Sequence, residues 1–85
     1  MNAEKQIIDY LLSNIIFTVN EIQPEQQLIE SLLIDSISII KVILFLEKQF
    51  NIRIEDEDLD PNNFETVKNM VNLVNRKRNE RCIVF

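Results

Sequence analysis

The chain has 85 residues, 46% apolar and 27% charged, which is enough for one small core and no second domain. It holds no Gly, no His and one Cys. That excludes a P-loop, a Gly-rich dinucleotide turn, an ordinary zinc site, a Ser-His-Asp triad and a Cys-His pair. We therefore expect no catalytic residue and no metal site, only a chain that is acted upon or that binds something.

The net charge of −5 is unevenly placed. Residues 1–67 hold 13 Asp/Glu against 4 Lys/Arg, net −9, and residues 68–85 hold 5 Lys/Arg against 1 Glu, net +4. An acidic body repels nucleic acid and is steered toward basic surfaces, or simply keeps a small domain soluble. Cys82 alone cannot build a disulfide framework, which reads as cytoplasmic. The first residues, MNAEKQIIDYLLSN, interrupt their apolar stretch with acids and so do not read as a signal peptide. The longest apolar run is the five residues from Val42 to Leu46, against the roughly 20 needed to span a bilayer.

From Ala3 to about Thr18, Ile7, Ile8, Leu11, Leu12, Ile15, Ile16 and Val19 make one stripe of an amphipathic helix. Residues 20–31 lose that pattern around Pro24 and read as a long ordered loop, pinned to the core by Leu28 and Ile29. Helical periodicity returns from Ser36 to Phe50, with Ile39, Ile43, Leu46 and Phe50 toward the core and Lys41 and Lys48 opposite. Asn51 is a residue suited to the left-handed position that ends a helix. Residues 52–54 read as extended, and Asp56 to Asp60 as a short helical turn stopped by Pro61. Val67, Met70, Val71 and Val74 then mark a last helix, capped by Thr66 and running to about Lys77. The expected fold is all-α, with three main helices, one short helix and a long first loop.

Two acidic constellations stand out. Asp56, Asp58 and Asp60 have the spacing of a calcium loop, but Pro61 replaces the turn glycine and Val67 the bidentate Glu, so that reading fails. Asp35-Ser36 lies where the long loop meets the longest helix, and taken alone it is an ordinary N-cap. Its surroundings say more. Leu28, Leu32, Asp35-Ser36-Ile37, a helix ending Leu46-Glu47-Lys48-Gln49-Phe50, then Asn51-Ile52-Arg53-Ile54, an acidic turn and Phe64-Glu65-Thr66-Val67 occur jointly. This series resembles the acyl/peptidyl carrier protein family over about residues 5 to 77.

The resemblance implies a four-helix carrier bundle, and we expect a carrier domain over 1–78 with a flexible C-terminal tail over 79–85. It implies that Ser36 is the attachment site of a covalent 4′-phosphopantetheine arm, installed by a phosphopantetheinyl transferase from coenzyme A. Asp35 would help that transferase and its magnesium engage. The chain would be a cytoplasmic monomer, served by an acyl- or aminoacyl-loading ligase and by downstream synthase or transferase enzymes. The residue two before Asp35, commonly Gly in the family, is Leu33.

Fatty-acid-type carriers usually present acids along the helix after the serine. Here Ser38, Lys41 and Lys48 stand there, with Glu47 the only acid nearby, and Ile37, Leu44 and Phe45 form an apolar patch rimmed by the lysines. The alternative is that Leu44 and Phe45 pack beneath the first loop. We expect Ile37, Ser38, Lys41, Leu44, Phe45 and Lys48 to bind partners, and the protein to be a discrete acyl carrier of a specialised pathway. An aminoacyl or peptidyl carrier, of nonribosomal or cell-surface aminoacylation type, is the nearest alternative. An unmodified carrier-fold interaction module is the alternative of another class. A further one is an unrelated helical protein prenylated at the Cys82-Ile83-Val84-Phe85 end, behind the basic Arg76, Lys77, Arg78 and Arg81.

Overall fold

The computed structural model describes residues 3–83, with side chains described over 3–78. Three α-helices make the frame: α1 (Ala3–Asn14), α2 (Ser36–Phe50) and α3 (Val67–Ile83). Two short 3-10 helices, Asp56–Asp58 and Pro61–Phe64, lie between α2 and α3, and no strand occurs among the described residues. The helix α3 is the centre of the packing, since it lies against α1, α2 and the second 3-10 helix. Ile7, Leu11, Leu28, Leu46, Val67, Met70, Leu73 and Val74 are completely buried in the shared core.

The helix α1 ends four residues short of the expected Thr18. The segment that follows, Ile15-Ile16-Phe17-Thr18-Val19, is rich in β-branched side chains, which lose rotamer freedom in a helix. The Asn14 side chain donates to the Tyr10 carbonyl at 3.2 Å, and the Leu11 carbonyl accepts from both Ile15 and Ile16 at 2.9 and 2.7 Å. The chain thus leaves the helix in a turn that buries Ile16.

The helix α2 has the expected bounds, because both ends are marked locally. Asp35 caps its start and Asn51 closes it in the left-handed region, at φ 55° and ψ 50°. Its buried edge is Val42, Leu46 and Phe50, while Ile39 and Ile43 pack half-buried against the core. Phe45 is half-buried, and Leu44 is exposed rather than packed beneath the first loop. Phe45 lies against α1. It stacks on Tyr10 of α1, with ring centroids 4.0 Å apart, and meets Phe50 edge-on at 6.2 Å. The Arg78 guanidinium lies over Phe50 at 6.0 Å, so a row of rings ties all three helices together.

The first 3-10 helix ends at Asp58, two residues short of the expected Asp60, and Pro61 instead opens the second, since its fixed φ suits a first helical position. The helix α3 is capped as expected, the Thr66 hydroxyl accepting from the Asn69 amide at 3.0 Å. It runs to Ile83, past the expected end at Lys77. The side chains of the 79–85 tail, including Cys82, and the whole of residues 84 and 85, lie outside the described residues.

Lys77 ties α3 to the first 3-10 helix. Its ammonium is buried and 2.7 Å from Asp58, whose carboxylate also accepts from the Glu55 amide at 2.9 Å. Burial pushes the Asp58 carboxyl up, but Lys77 and the Glu55 amide more than offset it and hold the group below its ordinary value. A carboxyl depressed on folding adds stability above its unfolded pKa of about 3.9, and that stability is lost as pH falls through the folded value. Lys77→Met, which strands a buried carboxylate, is expected to cost about 3 kcal/mol in denaturant unfolding at pH 7. Asp58→Asn/Lys77→Met should regain most of that loss and show a weaker decline in stability below about pH 4. Wild-type stability in Lys77→Met would contradict this role for the pair.

Candidate functional site

Asp35 and Ser36 are delivered to the start of α2 by a loop fixed at two residues. Leu28 is completely buried, its amide donates to the Glu65 carbonyl at 2.7 Å, and its own carbonyl accepts from Leu33 and Ile34 at 2.9 and 3.1 Å. The Glu65 carboxylate accepts from the Ile29 and Glu30 amides at 3.1 and 3.2 Å. Further back in the loop, the Pro24 carbonyl accepts from Lys68 at 2.9 Å. Residues 24–34 are thereby bonded to the start of α3.

The turn over residues 28–33 closes as a Schellman motif, with Leu33 N–H on the Leu28 carbonyl and Leu32 N–H on the Ile29 carbonyl. The left-handed residue of such a turn is usually Gly, and here it is Leu32, at φ 64° and 87% exposed. Leu33, which replaces the family's usual glycine, is therefore not the position where the backbone demands one. It is half-buried and packs against the core.

Beyond the turn, Ile34 is buried and Asp35, Ser36 and Ile37 are exposed. Asp35 has extended backbone, and its Oδ1 accepts from the Ser38 amide at 2.8 Å. Hydrogen bonding from the Ser38 amide, and next from the Ser38 side chain, holds the Asp35 carboxyl below its ordinary value, so it is ionised at neutral pH. Ser36 is the first residue of a 15-residue helix. Its amide and that of Ile37 belong to the first turn, which has no intrahelical acceptor, at the positive end of the helix dipole.

Of the expected partner-binding residues, Ile37, Lys41, Leu44 and Lys48 are exposed along one stripe of α2. Ser38 is half-buried at the cap, and Phe45 is half-buried against Tyr10. Ile40, 58% exposed, belongs to the stripe and was not anticipated, although its spacing of three from Ile37 and four from Leu44 would have found it. Glu47 does not reach the stripe at all, because its carboxylate accepts from the Ile54 amide at 2.9 Å. In the acid-rich turn, Asp58 binds Lys77, and Asp60 caps the second 3-10 helix through the Asn62 amide at 2.9 Å. Among the described residues no three His, Cys, Asp or Glu side chains are grouped to hold a metal ion. No helix among them is long and apolar enough to cross a membrane.

An exposed serine and an ionised aspartate thus stand together where the long first loop meets the positive end of the α2 dipole, within an all-helical bundle of carrier type. The family described as "Phosphopantetheine attachment site" matches residues 6–74. The acyl carrier protein of Helicobacter hepaticus is 38% identical over 52 residues, covering 61% of this chain and 66%, just under two thirds, of that protein. The acyl carrier protein of Buchnera aphidicola subsp. Schizaphis graminum is 30% identical over 76 residues, 89% of this chain and 94% of that protein. That of Nitratidesulfovibrio vulgaris (strain Miyazaki F) is 29% identical over 58 residues, 68% and 76% of the two chains. The chain belongs to the phosphopantetheine-binding acyl carrier protein family, whose cofactor is a covalently attached 4′-phosphopantetheine. The residues at the start of α2 fit such a group: an exposed hydroxyl on a helix N-terminus suits a phosphodiester anion.

Leu32→Gly should stabilise the protein by about 1 kcal/mol, because glycine takes φ 64° without the Cβ penalty and no packing is lost. Leu33→Gly should destabilise it. Denaturant melts of the two variants check the assignment, and the opposite order would contradict it.

Proposed function

We propose that Ser36 carries the phosphopantetheine arm and that the chain ferries acyl groups, held on it as thioesters, among enzymes of a specialised biosynthetic pathway in the cytoplasm. The observation that carries this reading is the exposed Ser36 hydroxyl on the first turn of α2, beside an ionised Asp35. The arm supplies the thiol that bears the cargo. Ser36 offers only an oxygen, and its neighbouring carboxylate, Asp35, is engaged as the cap of α2 by the Ser38 amide and is held as a weak base. A phosphopantetheinyl transferase therefore does the chemistry, and Asp35 offers that enzyme and its magnesium a fixed carboxylate. Aminoacyl cargo would use the same attachment and differ in the ligase that loads it.

The specialised setting is supported by α2 itself. Its outward stripe carries Lys41 and Lys48, and its only acid, Glu47, is turned toward Ile54. Enzymes that read an acidic carrier helix through Arg or Lys would meet like charge here.

Incubation with coenzyme A, magnesium and a broad-specificity transferase should add one phosphopantetheine increment to the intact mass. Ser36→Ala should abolish it. Asp35→Asn, which keeps a good N-cap but loses the charge, should fold with a near-wild-type melting temperature and be modified far more slowly. A folded wild-type protein that no transferase modifies, or an increment that survives in Ser36→Ala, would overturn the reading.

A further inference from the structure

The outward stripe of α2 is apolar and cationic, although residues 1–67 as a whole carry a net charge of −9. Ile37, Ile40, Lys41, Leu44 and Lys48 recur at spacings of three and four, so they form one face about 16 Å long. Ile37, Ile40 and Leu44 are 68%, 58% and 60% exposed, and Leu44 lies between the two lysines. Beside it Lys41, Leu44, Lys48, Tyr10, Phe45 and Gln49 line a groove of about 340 Å³, floored by the stacked Tyr10 and Phe45 rings. Glu47 is withdrawn to the Ile54 amide, and the acid that flanks the face on the α1 side is Asp9, in the adjoining groove.

We infer that the enzymes this carrier serves dock on α2 with an apolar face bearing carboxylates, which meet Lys41 and Lys48 while an apolar side chain enters the groove beside Leu44. The inference rests on the carrier reading and names the chemistry of its partners. Charge complementarity selects this occupant. A second copy meeting this one stripe to stripe about a two-fold axis would set Lys41 of one chain toward Lys48 of the other, like charge on like. An anionic bilayer would attract two lysines but repel a body of net charge −5.

The test is an amide-shift titration of the full chain with two synthetic amphipathic helical peptides of the same leucine pattern, one with Glu and one with Lys on its flanks. The Glu peptide should shift amides 37–48 and lose affinity as salt rises. In Lys41→Glu/Lys48→Glu its affinity should fall about five- to tenfold and the Lys peptide should gain, with Lys41→Gln/Lys48→Gln intermediate. Circular dichroism should show all variants folded, since both lysines are exposed. Equal binding of both peptides to the wild type, or shifts confined to residues 76–78, would overturn the inference. So would cosedimentation with phosphatidylglycerol vesicles through this stripe, or self-association mapped to it. The readout needs no arm, so a missing mass increment at Ser36 would sink the carrier reading without deciding the docking surface.

Discussion

The structure depends on how a long loop is held, because that loop sets where Asp35 and Ser36 stand. Leu28 and Glu65 do most of the holding. The Leu28 side chain is sunk in the core, its amide is bonded to Glu65 and its carbonyl gathers the amides of Leu33 and Ile34. The Glu65 carboxylate takes two more amides, those of Ile29 and Glu30. An anionic acceptor at the start of a helical turn is favoured for the same reason that a phosphodiester is favoured at the start of α2. The loop therefore enters α2 from a fixed direction, with Asp35 already shaped as a cap.

Absent glycine gives this loop its particular form. A chain of 85 residues with no Gly still needs left-handed backbone at two described positions, and it fills them with Asn51 and Leu32. Asn tolerates that region, whereas Leu pays a steric penalty of about 1–2 kcal/mol. The site is mounted on a turn that carries strain, one residue before the place where comparison with the family would locate it.

What the sequence made legible was local. The limits of α2 could be read because Asp35 and Asn51 mark them within the helix's own neighbourhood, and Thr66 marks the start of α3. Ser36 stands out as the candidate site because its motif and the elements after it keep a joint spacing. Pairings between distant residues left no such mark. Glu65 bonds to the Ile29 amide across 36 positions and Lys77 pairs with Asp58 across 19, and Glu65, Lys77 and Asp58 each look like ordinary surface charges in the sequence. The half-burial of Phe45 left no mark for a related reason: helix projection places it beside the lysines, and only the approach of Tyr10 from α1 partly covers it. The withdrawal of Glu47 likewise depends on Ile54, where the chain turns back after α2.

The central claim is that the clamp on the loop presents Ser36 for modification, and Glu65→Ala tests it most directly. The variant removes the acceptor of the Ile29 and Glu30 amides and touches neither Asp35 nor Ser36. Its rate of phosphopantetheine addition should be measured by intact mass, with the folded fraction checked by circular dichroism. The account predicts a folded protein modified about tenfold more slowly than wild type, as expected when a reacting group is misplaced from a distance. A folded Glu65→Ala protein modified at the wild-type rate would contradict it.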